Sequence, residues 1–466
     1  MALVTVLSLA GCGFQIYQPK PIEPAQIAAR YVAHSPDSED FRQYLITLDY
    51  PENKIPVQQW GLRELTYSAL YFHPQLDVAR AQWRAARSGE ITAAQRPIPG
   101  ISTNVENHSQ NDGGVSPWTY GLSIDVPLET GGKRQARIDR ATSLSEAARI
   151  DIAQTAWQVR SRLAYSLIDY TYSTQQVLIL QAELDLRTAI VGMLEKRLEA
   201  GMSSSIETSN ARLQLQKTQQ ALEAEKGRLP ELRAALANNA GLSQQSFDKL
   251  MLASSNWQDA SATPALPSTL LNDEFQQATL LNRLDIRAAL ARYAAAEAKL
   301  RLEIAKQYPD VVLSPGYSYD QGDKIWSLGI SALMTLITKN RGLIAEANAL
   351  RDVEAAQFEA LQASVIGSLS QARARYFSAM NELVKARQFQ QAQQARIQQT
   401  QKQFDAGFAD RLELTTTRLE NLLAEQNILN VAYKAKRATA NLEDIMQQPV
   451  EDALSMPAQL DKAVSP

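Results

Sequence analysis

Two glutamates, Glu207 and Glu413, are the residues whose spacing most suggests a chemical role. Each lies six residues after a glycine, in the stretches LEAGMSSSIE (198–207) and FDAGFADRLE (404–413). In both stretches a Ser or Asp stands three residues before the glutamate, which is the pattern of a capping box at the start of a helix. A glutamate there also interacts favourably with the positive end of the helix dipole. Capping alone would explain both carboxylates.

Residues suited to catalysis or metal binding are sparse and scattered. No metal-ligand spacing or catalytic dyad occurs among the three His and one Cys of the chain, which are His34, His73, His108 and Cys12. The 47 basic and 50 acidic side chains give a net charge of −3, whereas a nucleic-acid-binding face needs a strong positive excess. We therefore predict no enzymatic activity, no metal, no cofactor and no nucleic-acid partner.

The single cysteine has a definite context. The stretch MALVTVLSLAGCGF (1–14) is a short apolar run with small residues just before Cys12. It resembles a bacterial lipoprotein signal, whose apolar segment is too short to span a bilayer. This predicts a signal at residues 1–12 and a lipidated mature N-terminus at Cys12, with acyl chains such as palmitate. Gly13, where Asp would favour the inner membrane, favours the outer membrane. A plain secretory signal with an incidental cysteine is the alternative, and the lack of basic residues before Cys12 leaves the true start open.

Several stretches occur twice at a nearly constant offset. Gly407 lies 206 residues after Gly201, and similar offsets relate other pairs of stretches. The chain is therefore interpreted as a tandem duplication of one unit. The predicted division is an extended N-terminal segment (13–58), a first repeat (59–240), an inter-repeat linker (241–271), a second repeat (272–446) and a C-terminal tail (447–466).

Each repeat is predicted to contain one very long helix, at about 133–199 and 340–405. Residues 133–199 hold almost no Gly or Pro and carry an apolar residue every seventh position from Leu163 to Leu198. At 1.5 Å per residue such a helix is about 100 Å long. A filamentous coiled coil would show the same row of apolar residues and is the alternative.

Four short segments alternate apolar with small or polar side chains: 101–107, 118–128, 311–319 and 326–335. This period of two, with aromatic residues near the ends, is typical of the wall of a membrane β-barrel, although a half-buried soluble sheet would alternate in the same way. Four strands cannot close a barrel, and open strand edges are not tolerated in lipid. We therefore expect the chain to oligomerise, with outward-facing loops at 108–117 and 320–324.

The doubled order of helix, strand pair, long helix, glycine turn and returning helix resembles the TolC-type outer-membrane efflux proteins. More narrowly, it resembles the lipoprotein outer-membrane factors of tripartite RND pumps, over about 60–446. The resemblance implies a mostly α fold with a membrane β-barrel part. Three chains of four strands would form a homotrimeric 12-stranded barrel in outer-membrane lipid, above a long periplasmic α-helical barrel and an equatorial linker at 241–271.

The resemblance further implies a passive duct that exports small molecules, such as drugs or other toxic compounds, from the periplasm to the exterior. An inner-membrane RND transporter would supply the energy, and a periplasmic adaptor protein would bridge the two. A heavy-metal efflux duct or a type I secretion duct is the alternative within this class. A lipid-anchored periplasmic coiled-coil scaffold without a pore is the alternative from a different class. The sequence leaves the substrate, the partners' identities and the resting state open.

The resemblance also assigns roles at the two glycine turns. It places them at the periplasmic tip, where the adaptor would contact Gly201, Met202, Gly407 and Phe408. It places Glu207 and Glu413 around the closed aperture, where like charges in a constriction attract cations. Thr416 stands where a second acidic ring occurs in the family.

Overall fold

A computed structural model of the chain describes residues 15–109, 113–253, 282–332 and 339–448. Several predicted features lie outside these described residues: the signal (1–12) with Cys12, most of the linker (254–271), the last residues of the fourth predicted strand (333–335), and all but two residues of the C-terminal tail (449–466).

The first repeat begins with a group of short helices and contains the longest helix of the described chain. Its elements, with the two N-terminal helices that precede it, are α1 (Pro24–Val32), α2 (Glu39–Thr47), α3 (Leu62–Phe72), α4 (Pro74–Ala94), β1 (Gly100–Asn107), β2 (Trp118–Leu128), α5 (Lys133–Glu199) and α6 (Ser205–Asn239). The short helix α7 (Gln244–Phe247) follows. The bounds of α5 coincide with the stretch 133–199 that lacks helix breakers.

The second repeat has the same order of elements. It comprises α8 (Leu284–Ala305), β3 (Val311–Asp320), β4 (Asp323–Ala332), α9 (Arg341–Asp405) and α10 (Arg411–Met446). The mostly α fold with a β part, which the resemblance implied, is confirmed. Both α5 and α9 begin directly after a residue with positive φ, Gly132 and Asn340, which turns the chain from the sheet into the helix.

The four strands form one antiparallel sheet in the order β1-β2-β3-β4. The two hairpins meet along β2 and β3, where Tyr120 lies opposite Tyr319 and Leu122 opposite Tyr317. One predicted boundary is wrong: β4 begins at Asp323 rather than at 326. Only Gln321 and Gly322, both with positive φ, separate the strands, and this is the two-residue turn that matches the twist of a hairpin. Asp320 and Asp323 therefore pair across the strands instead of belonging to a five-residue loop.

The long helices pack side by side as two hairpins. In one, α5 packs against α6, and in the other α9 packs against α10, while α5 and α10 join the hairpins to each other. One apolar core, which includes Phe41, Leu65, Leu163 and Leu236, fixes α2 and α3 on one side of α5 and α6. A second core, with Leu383 and Leu429 among its members, lies where α5, α9 and α10 meet.

Buried polar contacts also tie α5 to the end of α10. Arg160 is 5% exposed and lies 3.4 Å from the carboxylate of Glu443. The side chains of Trp157 and Ser161 both donate to Asp444 Oδ1, at 3.1 and 2.6 Å. Because a buried charge is costly without a partner, these contacts specify how the two repeats are aligned along their length. That alignment decides which residues meet at the far ends of the hairpins.

Candidate functional site

The two glycine turns at the ends of α5 and α9 have the same hydrogen-bonded geometry. Gly201 and Gly407 adopt φ of +72° and +79°. Met202 N donates to Arg197 O at 2.7 Å and Gly201 N to Leu198 O at 3.0 Å, and the equivalent bonds close the turn at Gly407. These are Schellman motifs, in which the residue after the helix end takes the left-handed conformation that favours glycine. The glycines therefore reverse the chain and start the returning helices α6 and α10.

Substitution of the second turn glycine tests this assignment. We expect Gly407→Ala to destabilise the last turn of α9 by about 1–2 kcal/mol, because an L-residue pays that amount in the left-handed conformation. Steric clash adds nothing, since an added Cβ meets no atom within 4 Å. Amide hydrogen exchange of the last turn of α9 measures the change.

The matched control is Gly367→Ala in the middle of the same helix, where the added Cβ also has open space. Alanine there should stabilise the helix by about 1 kcal/mol, since glycine is the poorer helix former. Equal protection in both variants would contradict the turn assignment.

Large apolar side chains beside both turns are exposed to solvent. Phe408 is 88% exposed, and Met202 and Ile206 are each 73% exposed. Large exposed apolar side chains grouped beside the turns suit a surface that contacts a partner. Of the predicted contact residues, Met202 and Phe408 are thus available for binding, whereas Gly201 and Gly407 shape the turns.

The two glutamates occupy the first turns of α6 and α10, but the capping boxes predicted from the sequence are only half formed. Ser204 Oγ accepts from Glu207 N at 3.1 Å, and Asp410 Oδ1 accepts from Glu413 N at 2.9 Å. The reciprocal bond, in which the glutamate carboxylate would accept from the backbone N–H of the cap residue, is absent in both of these described turns. Glu207 instead accepts from Ser203 Oγ at 2.8 Å, because that hydroxyl competes with the backbone donor.

The carboxylate of Glu413 has fewer partners than that of Glu207. Its side chain is exposed, and within the described residues its carboxylate makes no hydrogen bond or ion pair. The helix start is capped by Asp410, so the Glu413 carboxylate interacts with α10 only through the helix dipole. Hydrogen-bonded capping therefore does not account for Glu413.

An ion pair joins the two tips. Arg197, in the last turn of α5, donates to Asp410 Oδ2 at 2.8 Å. The Arg197 guanidinium, followed by the backbone N–H of Glu413, holds the pKa of Asp410 below its usual value. Asp410 is therefore ionised at neutral pH, and its contribution to stability is lost only as the pH falls through that lowered pKa. The sequence reasoning missed this pair. A basic residue near a helix end and an acidic N-cap are each visible in the sequence, but not their contact.

At the opposite end of the hairpins, the sheet has one apolar and one polar face. Its apolar side chains are largely exposed, among them Ile101, Val105, Trp326, Leu328 and Ile330. The other face carries mainly Ser, Thr, Asn, Asp and Gly, because paired residues of neighbouring strands share a face. A sheet that leaves its apolar face bare needs an apolar environment to cover it.

Within the described ranges, no group of His, Cys, Asp and Glu is arranged to hold a metal ion. None of the described helices has an apolar stretch long enough to cross a bilayer. Cys12, the predicted lipidation site, lies outside the described residues.

The chain matches the family model described as "Outer membrane efflux protein" in two blocks, residues 65–242 and 276–446. These blocks cover most of the chain and correspond to its two repeats.

Two curated proteins and one solved structure illustrate the similarity. The cobalt-zinc-cadmium resistance protein CzcC of Cupriavidus metallidurans is 24% identical over 61% of this chain, and the pyoverdine export outer membrane protein OpmQ of Pseudomonas aeruginosa is 24% identical over 67% of it. In both cases the match spans 65% of the relative, just under two thirds of its length. The outer-membrane channel OprN has the same fold, with a TM-score of 0.67 at 22% identity over 84% of this chain and 91% of that one.

Proposed function

The chain belongs to the outer membrane efflux protein family, and from this premise we propose that it forms the outer-membrane duct of a tripartite efflux system. On this proposal it is a passive channel in the bacterial outer membrane and not an enzyme. Small molecules pass from the periplasm to the exterior, and the energy comes from a transporter in the inner membrane.

The observation that carries the proposal is the two-faced sheet at one end of the long helical hairpins. Its exposed apolar face suits lipid and its polar face suits a water-filled lumen. A coiled-coil scaffold without a pore would not need such a sheet. The helix α5, with 67 residues, is about 100 Å long at 1.5 Å per residue, which suits a tunnel reaching far into the periplasm.

A single sheet of four strands leaves β1 and β4 with open edges, which lipid does not tolerate. We propose that three chains close a 12-stranded barrel, each contributing the sheet β1–β4. The partners of this homotrimer are outer-membrane lipid around the barrel, a periplasmic adaptor and an inner-membrane RND transporter. The proposal includes a covalent lipid on Cys12 as a second attachment to the membrane.

At the periplasmic end, we propose two roles for the glycine-turn tips. The adaptor contacts Met202 and Phe408, whose positions are set by Gly201 and Gly407. Glu207 and Glu413 line the aperture of the closed duct. The free carboxylate of Glu413 supports this role, since hydrogen bonds to the helix start do not occupy it within the described residues.

The tip assignment predicts that Phe408→Asp abolishes efflux without preventing assembly. A charge at a side chain that is 88% exposed leaves folding unchanged but removes an apolar contact that a partner would bury, and such anchors are typically worth 2 kcal/mol or more. Susceptibility of a strain that lacks the chromosomal copy, complemented with each variant, measures efflux. Outer-membrane trimer content measures assembly.

Ser205→Asp serves as the matched control and should keep wild-type efflux, because Ser205 is also exposed beside a turn but presents no apolar side chain to a partner. Wild-type susceptibility of the Phe408→Asp strain would contradict the tip assignment. Loss of the trimer in that strain would mean that Phe408 is a folding residue instead.

The class of exported substrate can be tested in the same deletion strain. One relative is a cobalt-zinc-cadmium resistance protein and the other exports pyoverdine, so metal cations are the second candidate besides drug-like compounds. Loss of the duct should raise susceptibility to a panel of antibiotics and dyes. A selective rise in susceptibility to cobalt, zinc and cadmium would favour metal efflux.

A further inference from the structure

His73 joins two helices and takes part in the end of one and the start of the other. It follows Phe72, the last residue of α3, and precedes Pro74, the first residue of α4. Its backbone N–H donates to Ala69 O at 3.0 Å, which closes α3. Its side chain caps α4, since Nδ1 accepts from Gln75 N at 3.3 Å. The imidazole therefore does the work that Ser, Thr, Asp or Asn usually does at a helix start.

This hydrogen bond requires a neutral ring. A backbone N–H can only donate, so the Nδ1 atom that accepts from Gln75 carries no proton. Protonation of Nδ1 would set two N–H donors against each other and break the cap. An imidazole changes its charge between about pH 5 and pH 8, whereas the hydroxyl caps Ser38 of α2 and Ser204 of α6 do not titrate in that range.

The ring is packed against a neighbouring helix end and has little access to water. His73 is 8% exposed. The turn that ends α6 lies directly behind it, because a Cβ added at Gly241 would lie 2.8 Å from His73 N and 2.9 Å from Phe72 C. The ring of His34 contacts that of Phe72, with centroids 4.8 Å apart, and His34 Nδ1 lies 3.2 Å from Gly241 O. The start of α4 is thus held against the end of α6.

The charged groups around the ring favour its neutral form. Arg162 of α5 reaches the start of α4, where its guanidinium donates to the side-chain amide oxygen of the second residue. Asp77 of α4 pairs with Arg80 at 3.4 Å, and within the described residues no carboxylate forms an ion pair with His73. The last turns of α3 and α6 add no charged side chain, and His34 can add only positive charge. Burial, followed by the charge of Arg162, lowers the pKa of His73.

We propose that the hydrogen bond from Gln75 N to His73 Nδ1 is an acid-sensitive latch at the start of α4. At neutral pH the neutral ring caps α4 beside the end of α6. In acid, protonation removes the cap and sets a positive charge beside Arg162, so the first turn of α4 opens. The inference does not depend on the proposed duct function.

The direction of the response follows from linkage. Because the ring is protonated more readily in the unfolded chain than in the folded one, the latch is fully stabilising above about pH 6.5, the pKa of an unperturbed imidazole. Its contribution is lost as the pH falls through the lowered pKa of His73. Since α4 leads directly into β1, the latch acts on the helix that carries the first strand of the sheet.

Hydrogen exchange of the full-length protein, read at the first turn of α4, tests the latch. Protection factors, corrected for the intrinsic pH dependence of exchange, are compared at about pH 8 and about pH 5. Wild-type protection should fall by about fivefold in acid, which is the effect of losing one N-cap. The first turn of α6, capped by Ser204, is the internal reference and should not change. Unchanged wild-type protection at the start of α4 overturns the proposal, and this comparison requires no variant to fold.

Two variants then assign the response to one ring. Asn is a good N-cap without a titrating group, so in His73→Asn the ratio of protection between the two pH values should be about one, whatever the variant does at either pH alone. His34→Gln is the matched control and should keep the wild-type ratio, because His34 also contacts this region but lies between α1 and α2. An acid response that persists in His73→Asn, or that disappears in His34→Gln, overturns the proposal.

Discussion

Asp410→Asn should raise the open probability of the duct at neutral pH. The substitution removes the charge that pairs with Arg197 at 2.8 Å, a link that we expect to hold the two tips together in the closed duct. It keeps a good N-cap, because Asn caps helices as well as Asp does. An exposed ion pair contributes about 0.2–1 kcal/mol. With three such links in a trimer and a tenfold change per 1.4 kcal/mol, the closed state should lose a factor of about 3 to 140. Single-channel recordings measure the change.

Two further variants test whether the effect arises from the ion pair between Arg197 and Asp410. Arg197→Ala should have the same effect, and the double variant should add little, since both remove one interaction. Ser204→Asn is the matched control, because it changes the equivalent cap of α6, which makes no ion pair with the other tip in the described structure. If Asp410→Asn and Arg197→Ala both leave the open probability at the wild-type value, the ion pair does not hold the tip closed.

Leu328→Arg should abolish assembly of the duct in the outer membrane. Leu328 lies near the middle of β4 and is 67% exposed on the apolar face of the sheet. An arginine on the lipid face costs about 2–4 kcal/mol near the bilayer midplane. Three copies cost about 6–12 kcal/mol, which is comparable to the entire stability of a typical domain of 5–15 kcal/mol. The amount of trimer extracted from outer membranes measures the effect.

The matched control is one residue away. Ser327 belongs to the polar face, since it lies opposite Gly316, so Ser327→Arg should allow assembly and reduce conductance by narrowing the lumen. Equal loss of trimer in both variants would mean that the two faces of β4 do not separate lipid from water.

Local pattern was enough to predict the elements of the fold. The strands alternate with a period of two, and residues 133–199 are rich in helix-forming residues. Both are local properties of the chain, so both can be recognised in the sequence. The start of β4 was missed because Asp320 and Asp323 look like loop residues. Their pairing depends on Gln321 taking a positive φ of 46°, which is uncommon for a residue other than glycine.

At the tips, the helix caps could be predicted from the sequence, but the contacts between distant residues could not. Ser204 and Asp410 were identifiable as caps, because an N-cap is a local feature. The contact between Arg197 and Asp410 joins residues 213 positions apart, and it results from the packing of α5 against α10. No rule based on sequence spacing predicts a contact between residues so far apart in the chain. The same holds for Glu413, whose lack of a side-chain partner in the described structure follows from its position on the exposed face of α10, next to the buried Leu414.

The conductance of the purified trimer in planar bilayers tests the central claim most directly. A duct predicts discrete conductance steps from wild-type protein, and larger or longer openings when Glu207 and Glu413 are both changed to Ala, since the side chains that narrow the aperture are shortened to a methyl group. A folded trimer that inserts into the bilayer yet shows no steps, either as wild-type protein or as the double variant, would contradict the duct function.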